Sequence, residues 1–474
     1  MSTKPEKFDF GMIGLGTMGR NLLLNMGDHG VAGAGFDTDP SKGELLEKES
    51  TFHNLKGFSD IKAFTESLKT PRAIMMLVPA GKIVDDVIAS LQPYLQKGDI
   101  LIDGGNSHFT DTNRRVEELE KLGLHFFGMG ISGGEEGARH GPSMMPGGDK
   151  QAYAVMKRIL EAIAAKVDGA PCVTYIGPGA SGHFVKMVHN GIEYGIMQLL
   201  AETYEILKKG LKLDNAEIGE IFTQWSEGRL KSFLLDITKD IFQYKAPGAD
   251  HLLLDDIKDE AKAKGTGKWT SQVAMDLQAP IPTIDTAVSM RDLSKYKALR
   301  VKAASLYSKD EIHLDVDKAT FLVNLEKAFY FNMIISYAQG MHLLARASEE
   351  YKYNLKLGEI AKIWRGGCII RSEFLNDIYN AYNNDASLTH LLLDGAVQTL
   401  VADAVIGARS VLSATIAAGL ATPAFAASMS YFDAFRSERM PSNLTQAQRD
   451  YFGAHTYELI GKEGVFHTQW VAKS

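Results

Sequence analysis

Cysteine is almost missing from this chain: Cys172 and Cys368 stand far apart and form no Cys-x-x-Cys pair. That scarcity excludes a disulfide framework and a thiolate zinc site, and it fits a reducing, cytoplasmic setting. Basic runs are also lacking. The 51 lysines and arginines are scattered among 58 acidic residues, so the net charge is -7 and no stripe tracks a phosphate backbone; nucleic acid is not an expected partner. The start, Met1-Ser2-Thr3-Lys4-Pro5-Glu6-Lys7, has no apolar core of the secretory kind. The most apolar later region, 393–427, is interrupted by Asp394, Asp403 and Arg409, which argues against a membrane span. The 474 residues, 45% of them hydrophobic, suffice for two or three domains with real cores.

The first 180 residues alternate short apolar runs with helical patterns. Phe8 to Ile13, Val31 to Phe36, Ala73 to Val78, Ile100 to Ile102 and Leu124 to Phe127 read as strands of a parallel sheet. The first runs into Gly14-Leu15-Gly16-Thr17-Met18-Gly19 and then an amphipathic stretch. A GxGxxG between strand and helix is a dinucleotide fingerprint, whereas alone it is only a tight turn. Gly14 permits the turn, Gly16 admits a pyrophosphate to the backbone, and Gly19 lets helix and strand pack closely. Asp37 follows the second strand, 18 residues after Gly19. A carboxylate there accepts the ribose 2′-OH of NAD and repels a 2′-phosphate, although such an aspartate can also merely cap its own turn. Thr38 and Asp39 follow, so no arginine stands beside it; Lys42 and Arg20 are the only nearby cations. The expected cofactor is NAD, with NADP possible.

Two glycine-rich turns come next, Asp103-Gly104-Gly105-Asn106-Ser107 and Ile131-Ser132-Gly133-Gly134-Glu135-Glu136-Gly137-Ala138. Both would lie at carboxyl ends of strands, where open α/β sheets bind ligands, though Gly-Gly turns are common in plain loops. The Met-Met-Pro-Gly-Gly run at 144–148 reads as a further loop. In Gly182-His183-Phe184-Val185-Lys186-Met187-Val188-His189-Asn190-Gly191-Ile192-Glu193-Tyr194, a helix places Lys186, His189, Asn190 and Glu193 within about a 100° arc. Lys186 and Glu193 are roughly 10 Å apart along the axis, too far for an i,i+4 pair and a good span for a small polar molecule. A solvated face is the commoner origin of such a row. Gly182 and Gly191 weaken the helix for no local benefit, which suggests that something approaches it closely.

These segments resemble the 6-phosphogluconate dehydrogenase family: GLGTMG (14–19), IDGGNS (102–107), ISGGEEGARHGPSMMPGG (131–148) and GHFVKMVHNGIEYG (182–195), followed by KGTGKWT (264–270), ISYAQG (335–340), IWRGGCIIRS (363–372) and QAQRDYFGAHTYE (446–458). The resemblance implies Lys186 as general base and Glu193 as general acid in the oxidative decarboxylation of 6-phospho-D-gluconate to ribulose 5-phosphate, with an ammonium in place of a divalent metal. It implies that Asn106, Ser132, Gly133, Gly134, His189, Asn190 and Tyr194 hold the sugar acid. Tyr194, Lys268, Arg291, Arg449 and His455 would hold the 6-phosphate. The cofactor would lie on Gly14, Leu15, Gly16, Thr17, Met18, Gly19, Asp37, Thr38, Val78, Pro79, Ala80 and Asn106. The family's commoner NADP pattern has Asn-Arg-Thr where this chain has Asp37-Thr38-Asp39, and Val-Lys-Ala where it has Val78-Pro79-Ala80; both changes remove positive charge and favour NAD. The competing readings are a β-hydroxyacid dehydrogenase for another acid and a non-catalytic dinucleotide-binding scaffold.

Beyond about residue 180 long Ala/Leu/Ile patterns at helical spacing dominate, as in 323–346 and 396–419, which are faintly alike. The expected architecture is a Rossmann-like α/β domain (1–180), an all-helical substrate and dimerisation domain (181–441), and an aromatic tail with a helical middle (442–474). By the resemblance the tail crosses to the other subunit of a homodimer, where Arg449 and His455 complete the active site; packing on its own subunit is the alternative.

Overall fold

The computed structural model describes residues 7–307 and 312–470. The first six residues of the expected N-terminal domain, residues 308–311 of the helical one and the last four of the tail therefore lie outside the described residues.

Seven strands form one sheet: β1 (Phe10–Ile13), β2 (Gly33–Phe36), β3 (Leu55–Phe58), β4 (Ala73–Met76), β5 (Ile100–Asp103), β6 (His125–Ser132) and β7 (Ser143–Gly148), in the order β3-β2-β1-β4-β5-β6-β7. The first six are parallel, and β7 closes the edge antiparallel to β6, with Gly130 opposite Met145 and Ser132 opposite Ser143. β1, β4 and β5 are buried along their whole length, as strands covered by helices on both faces must be. Three expectations change. Leu55–Phe58 is a strand that the short, half-polar sequence concealed. The 144–148 run is most of β7 rather than a loop. The Leu124–Phe127 strand continues to Ser132, so Ile131 and Ser132 belong to it and the turn begins at Gly133.

The helices that frame the site are α1 (Thr17–Asp28), α2 (Lys82–Leu91), α3 (Phe109–Glu120), α4 (Gly134–His140), α5 (Ser181–Glu205), α6 (Thr266–Asp276), α7 (Pro282–Ser294), α8 (Lys318–Glu350), α9 (Gly395–Ala417) and, in the tail, α10 (Ser442–Gly453). The 25-residue α5 is buried on nearly every side. Its apolar residues join the core of the helical part, while it packs on β6 and β7 at its start and on α6, α7 and α8 further along. The 33-residue α8 starts where Asp317 accepts the Thr320 N–H at 2.9 Å, an N-cap worth about 1 kcal/mol. By length and composition α9 would suffice to cross a bilayer. It lies instead along α8, with Ile406 and Ile416 left 76% and 62% exposed on its other side.

Candidate active site

The carboxyl edge of the sheet gathers the residues expected to hold a dinucleotide. Gly14 has φ +91°, and a Cβ there would lie 2.5 Å from the Leu77 carbonyl oxygen. At Gly19 a Cβ would lie 1.9 Å from the Gly14 carbonyl oxygen, so only glycine lets α1 start this close to β1. A Cβ on Gly16 would meet nothing within 4 Å; space is left where a pyrophosphate would sit over the first N–H groups of α1, from Thr17 and Met18 onward. Leu15 N donates to Asp37 Oδ2 at 2.9 Å, which ties the glycine turn to the end of β2. Lys42 Nζ lies 3.2 Å from the same carboxylate. Arg20 is turned to Glu49, 2.9 Å away. Thr38, Pro79, Ala80 and Asn106 are exposed along this edge and Val78 is half-buried, where β2, β4 and β5 leave the sheet. The donor set and the open cradle fit a nicotinamide dinucleotide.

Against this edge lies α5, joined to β6 by a matched pair of periods. Residues two apart on a strand share a face, and residues three apart on a helix nearly do. Gly128 faces His183, Gly130 faces Lys186, and Ser132 faces His189. A Cβ on Gly128 would meet His183 Nδ1 at 2.8 Å, and one on Gly130 would meet Lys186 Cβ at 2.4 Å; Ser132 Oγ lies 3.2 Å from His189 Nε2. Gly182 and Gly191 do mark close approaches, but the partners are protein. Cβ atoms there would lie 2.2 Å from the Gly128 and Met145 carbonyl oxygens and 2.6 Å from Thr270 Cγ2.

Lys186 is only 6% exposed. Burial drives its ammonium pKa below the ordinary lysine value, with Glu193 pulling partly back. Burial raises the Glu193 carboxyl, opposed by Lys186 and Arg291. His189 is fully buried and held well below the usual histidine range by desolvation and then by Lys186, so it is neutral. Its Nδ1 sits 3.0 Å from Asn190 Oδ1 and 3.5 Å from Lys186 Nζ. Asn190 Nδ2 donates to Thr266 Oγ1 at 3.2 Å, which links α5 to the start of α6. One turn on, the Arg291 guanidinium lies 3.5 Å over the Tyr194 ring. Tyr194 also packs against Gly267, where a Cβ would sit 2.6 Å from the ring, and exposed Lys268 follows. Tyr194, Lys268 and Arg291 thus form a cationic end to the row, while Gly134 at the start of α4 is open, with nothing within 4 Å of a Cβ, next to Gly133. Such a row can hold a small anionic polyol between a base, an acid and a cationic end.

Arg449 and His455 are not brought to this row within the chain: Arg449 donates to Gln446 of its own helix, and His455 packs on Phe452. Several contributors had no separate reading in the sequence. Ile369 N donates to Ser132 Oγ at 3.3 Å, and Trp364 meets the His189 ring edge to face at 5.5 Å. The 183/186/189 spacing set against 128/130/132 was the available signal for His183.

Comparison with known proteins agrees with this geometry. Residues 9–177 match the NAD binding domain of 6-phosphogluconate dehydrogenase and residues 182–470 match its C-terminal domain. The chain is 49% identical over 467 residues to the NADP(+)-dependent, decarboxylating 6-phosphogluconate dehydrogenase of Bacillus subtilis, covering 98% of this chain and 100% of that one. It is 49% identical, with the same coverage, to the decarboxylating enzyme of Escherichia coli K12. Plasmodium falciparum 6-phosphogluconate dehydrogenase, solved apo, with its cofactor NADP+ and with its substrate 6-phosphogluconate, superposes with a TM-score of 0.95 at 44% identity, covering 98% of this chain and 100% of that one. A dinucleotide-binding sheet facing a buried lysine and a half-buried glutamate fits an oxidoreductase of hydroxylated acids. Within that class the chain belongs to the 6-phosphogluconate dehydrogenase family.

Proposed function

We propose that this chain converts 6-phospho-D-gluconate to ribulose 5-phosphate and CO2. The observation that carries the reading is the pair on α5: a buried lysine whose pKa is lowered and a half-buried glutamate whose pKa is raised, on one face beside a dinucleotide edge. The bound dinucleotide supplies the acceptor for the C3 hydride. Neutral Lys186 takes the proton of the C3 hydroxyl. The resulting 3-keto acid loses CO2, and the Lys186 ammonium stabilises charge on the C3 oxygen. Protonated Glu193 then gives its proton to C1. Asn106, Ser132, Gly133, Gly134, His189 and Asn190 orient the sugar acid. Tyr194, Lys268 and Arg291 take the 6-phosphate, the arginine as a bidentate fork.

The Bacillus subtilis relative is NADP(+)-dependent and the Plasmodium falciparum one is solved with NADP+, but the local residues favour NAD. Asp37 puts a carboxylate at the end of β2, and Lys42, a neighbouring cation, is already paired with it. The site is completed by a second copy. In support, α10 buries only Asp450, Phe452 and Ile460 are 73% and 86% exposed, and α9 presents an apolar face. The unpaired, buried Cys172 and Cys368 suit a reducing compartment such as the cytoplasm.

The test is the initial rate at 340 nm with 6-phosphogluconate and either dinucleotide. Turnover with a higher kcat/KM for NAD is expected, and Asp37→Ala should narrow the preference. No rate with either would sink the reaction; an NADP preference would sink only the cofactor argument. Equal rates with unphosphorylated gluconate would move the substrate to another hydroxy acid.

A further inference from the structure

Beneath the two cofactor loops lies a buried polar chain that the reaction does not use. Arg115 of α3 is only 1% exposed. Its Nη2 donates to the Gly81 carbonyl at 2.9 Å, its Nε to Asp85 Oδ1 at 2.7 Å, and its Nη1 reaches Asp103 Oδ2 at 3.5 Å. Gly81 ends the Val78-Pro79-Ala80 loop, and Asp103 begins the loop that carries Asn106. The Asp103 carboxylate also accepts from Gly105 N and Ser107 Oγ, which folds that loop back on itself. From the other side comes His183, 2% exposed and one turn before Lys186 on α5. Its Nε2 lies 3.0 Å from the Asp103 carbonyl oxygen and its Nδ1 2.7 Å from Thr112 Oγ1. A carbonyl can only accept, so Nε2 carries the proton and Nδ1 accepts from the threonine.

We infer that Arg115 and His183 are positioning residues: through Asp103 they lock the Val78–Gly81 and Asp103–Ser107 loops to the helix that carries Lys186, setting the distance between the nicotinamide and the base. The inference rests on the site reading above. Stability alone is a poor reason for this arrangement, because withdrawing a guanidinium and a carboxylate from water costs about what their pairing returns. Its anchors are also specific: the ends of the two loops and a helix position one turn from the base. Hydride and proton must leave adjacent atoms of one substrate, so the nicotinamide and Lys186 must hold one spacing. A displacement near 1 Å can cost about 10²-fold in rate.

The experiment uses the full chain with Arg115→Met, Arg115→Lys, His183→Leu and His183→Gln. Dinucleotide Kd is measured by calorimetry without substrate, alongside kcat, melting temperature and the primary isotope effect with substrate deuterated at C3. Arg115→Met and His183→Leu should weaken dinucleotide binding about 10-fold, roughly the loss of one buried hydrogen bond. They should also lower kcat by about 10–10²-fold with a larger isotope effect. His183→Gln keeps a donor near Nε2 and should recover most of both. Lower melting temperatures with unchanged Kd and isotope effect would overturn the inference. Should Arg115→Met and His183→Leu not fold, Arg115→Lys decides. It keeps the charge and loses the fork, so Kd should rise at least about 3-fold, and an unchanged Kd refutes the bridge. Wild-type inactivity on 6-phosphogluconate would instead refute the substrate, and the calorimetric series would still test the bridge.

Discussion

Gly130→Ala is the substitution that most directly probes how the fold places Lys186, the proposed base. The new methyl group would lie 2.4 Å from Lys186 Cβ, 3.0 Å from its Cγ and 3.2 Å from the Gly182 carbonyl oxygen. Carbon atoms rest at about 3.5–4.0 Å, so a separation of roughly 1 Å or more must open. β6 cannot supply it, because it is hydrogen-bonded to β5 on one side and β7 on the other. Nor can the Lys186 side chain rotate away, since Cβ is fixed by the backbone. The helix has to move. Overpacking of this kind costs about 1–3 kcal/mol of stability, and a shift of this size costs about 10² in rate. Steady-state kcat and a thermal melt should therefore fall together, kcat far more than the melt would imply. Gly395→Ala at the start of α9 is the control, since a Cβ there meets nothing within 4 Å, and it should leave both unchanged. A folded Gly130→Ala enzyme with kcat near wild type would refute the claim that this contact sets the position of Lys186.

The pH profile of kcat/KM should be bell-shaped. Activity rises as pH climbs through the Lys186 pKa, which burial lowers, and falls as pH passes the Glu193 pKa, which burial raises. Lys186→Ala should lose about 10²–10⁴-fold and Glu193→Gln should flatten the alkaline limb; a profile unchanged in both variants would remove them from the chemistry. If the tail crosses between subunits, mixing inactive Lys186→Ala with inactive Arg449→Ala should restore about a quarter of wild-type activity. Half of the dimers are then mixed, each with one complete site. No recovery after subunit exchange would place the tail on its own chain.

What could be read from the sequence was local. The glycine turn, Asp37 and the polar face of α5 follow from spacings within one or two elements, and the parallel α/β half followed by helices comes from periodicity alone. What escaped it was long-range. The expected strand stops at Phe127, yet Gly128 and Gly130 continue β6 and make room for His183 and Lys186. Pro146 and Gly147 disguised β7, which tolerates a proline because it is an edge strand. Gly147 is needed there since a Cβ would lie 2.2 Å from Gly182 N. Leu55–Phe58 carries an exposed Lys56 and too few residues to show a period. In each case the residue answers to a neighbour distant in sequence, and no window along the chain contains both.

One physical cause prepares both halves of the proposed acid–base pair. In water a lysine and a glutamate at neutral pH would be ammonium and carboxylate, the wrong form of each for this reaction. Desolvation penalises charge of either sign, so it lowers the Lys186 pKa and raises that of Glu193. Both shifts run toward the forms the proposed reaction needs, a neutral amine as base and a protonated carboxyl as acid. Their mutual attraction opposes the change, and the geometry limits it. Placing them two turns apart on α5, roughly 10 Å along the axis, keeps them from closing into a direct ion pair. Burial without close pairing is therefore the design requirement. A helix buried between a sheet and a helical core meets it in a way that an exposed loop cannot.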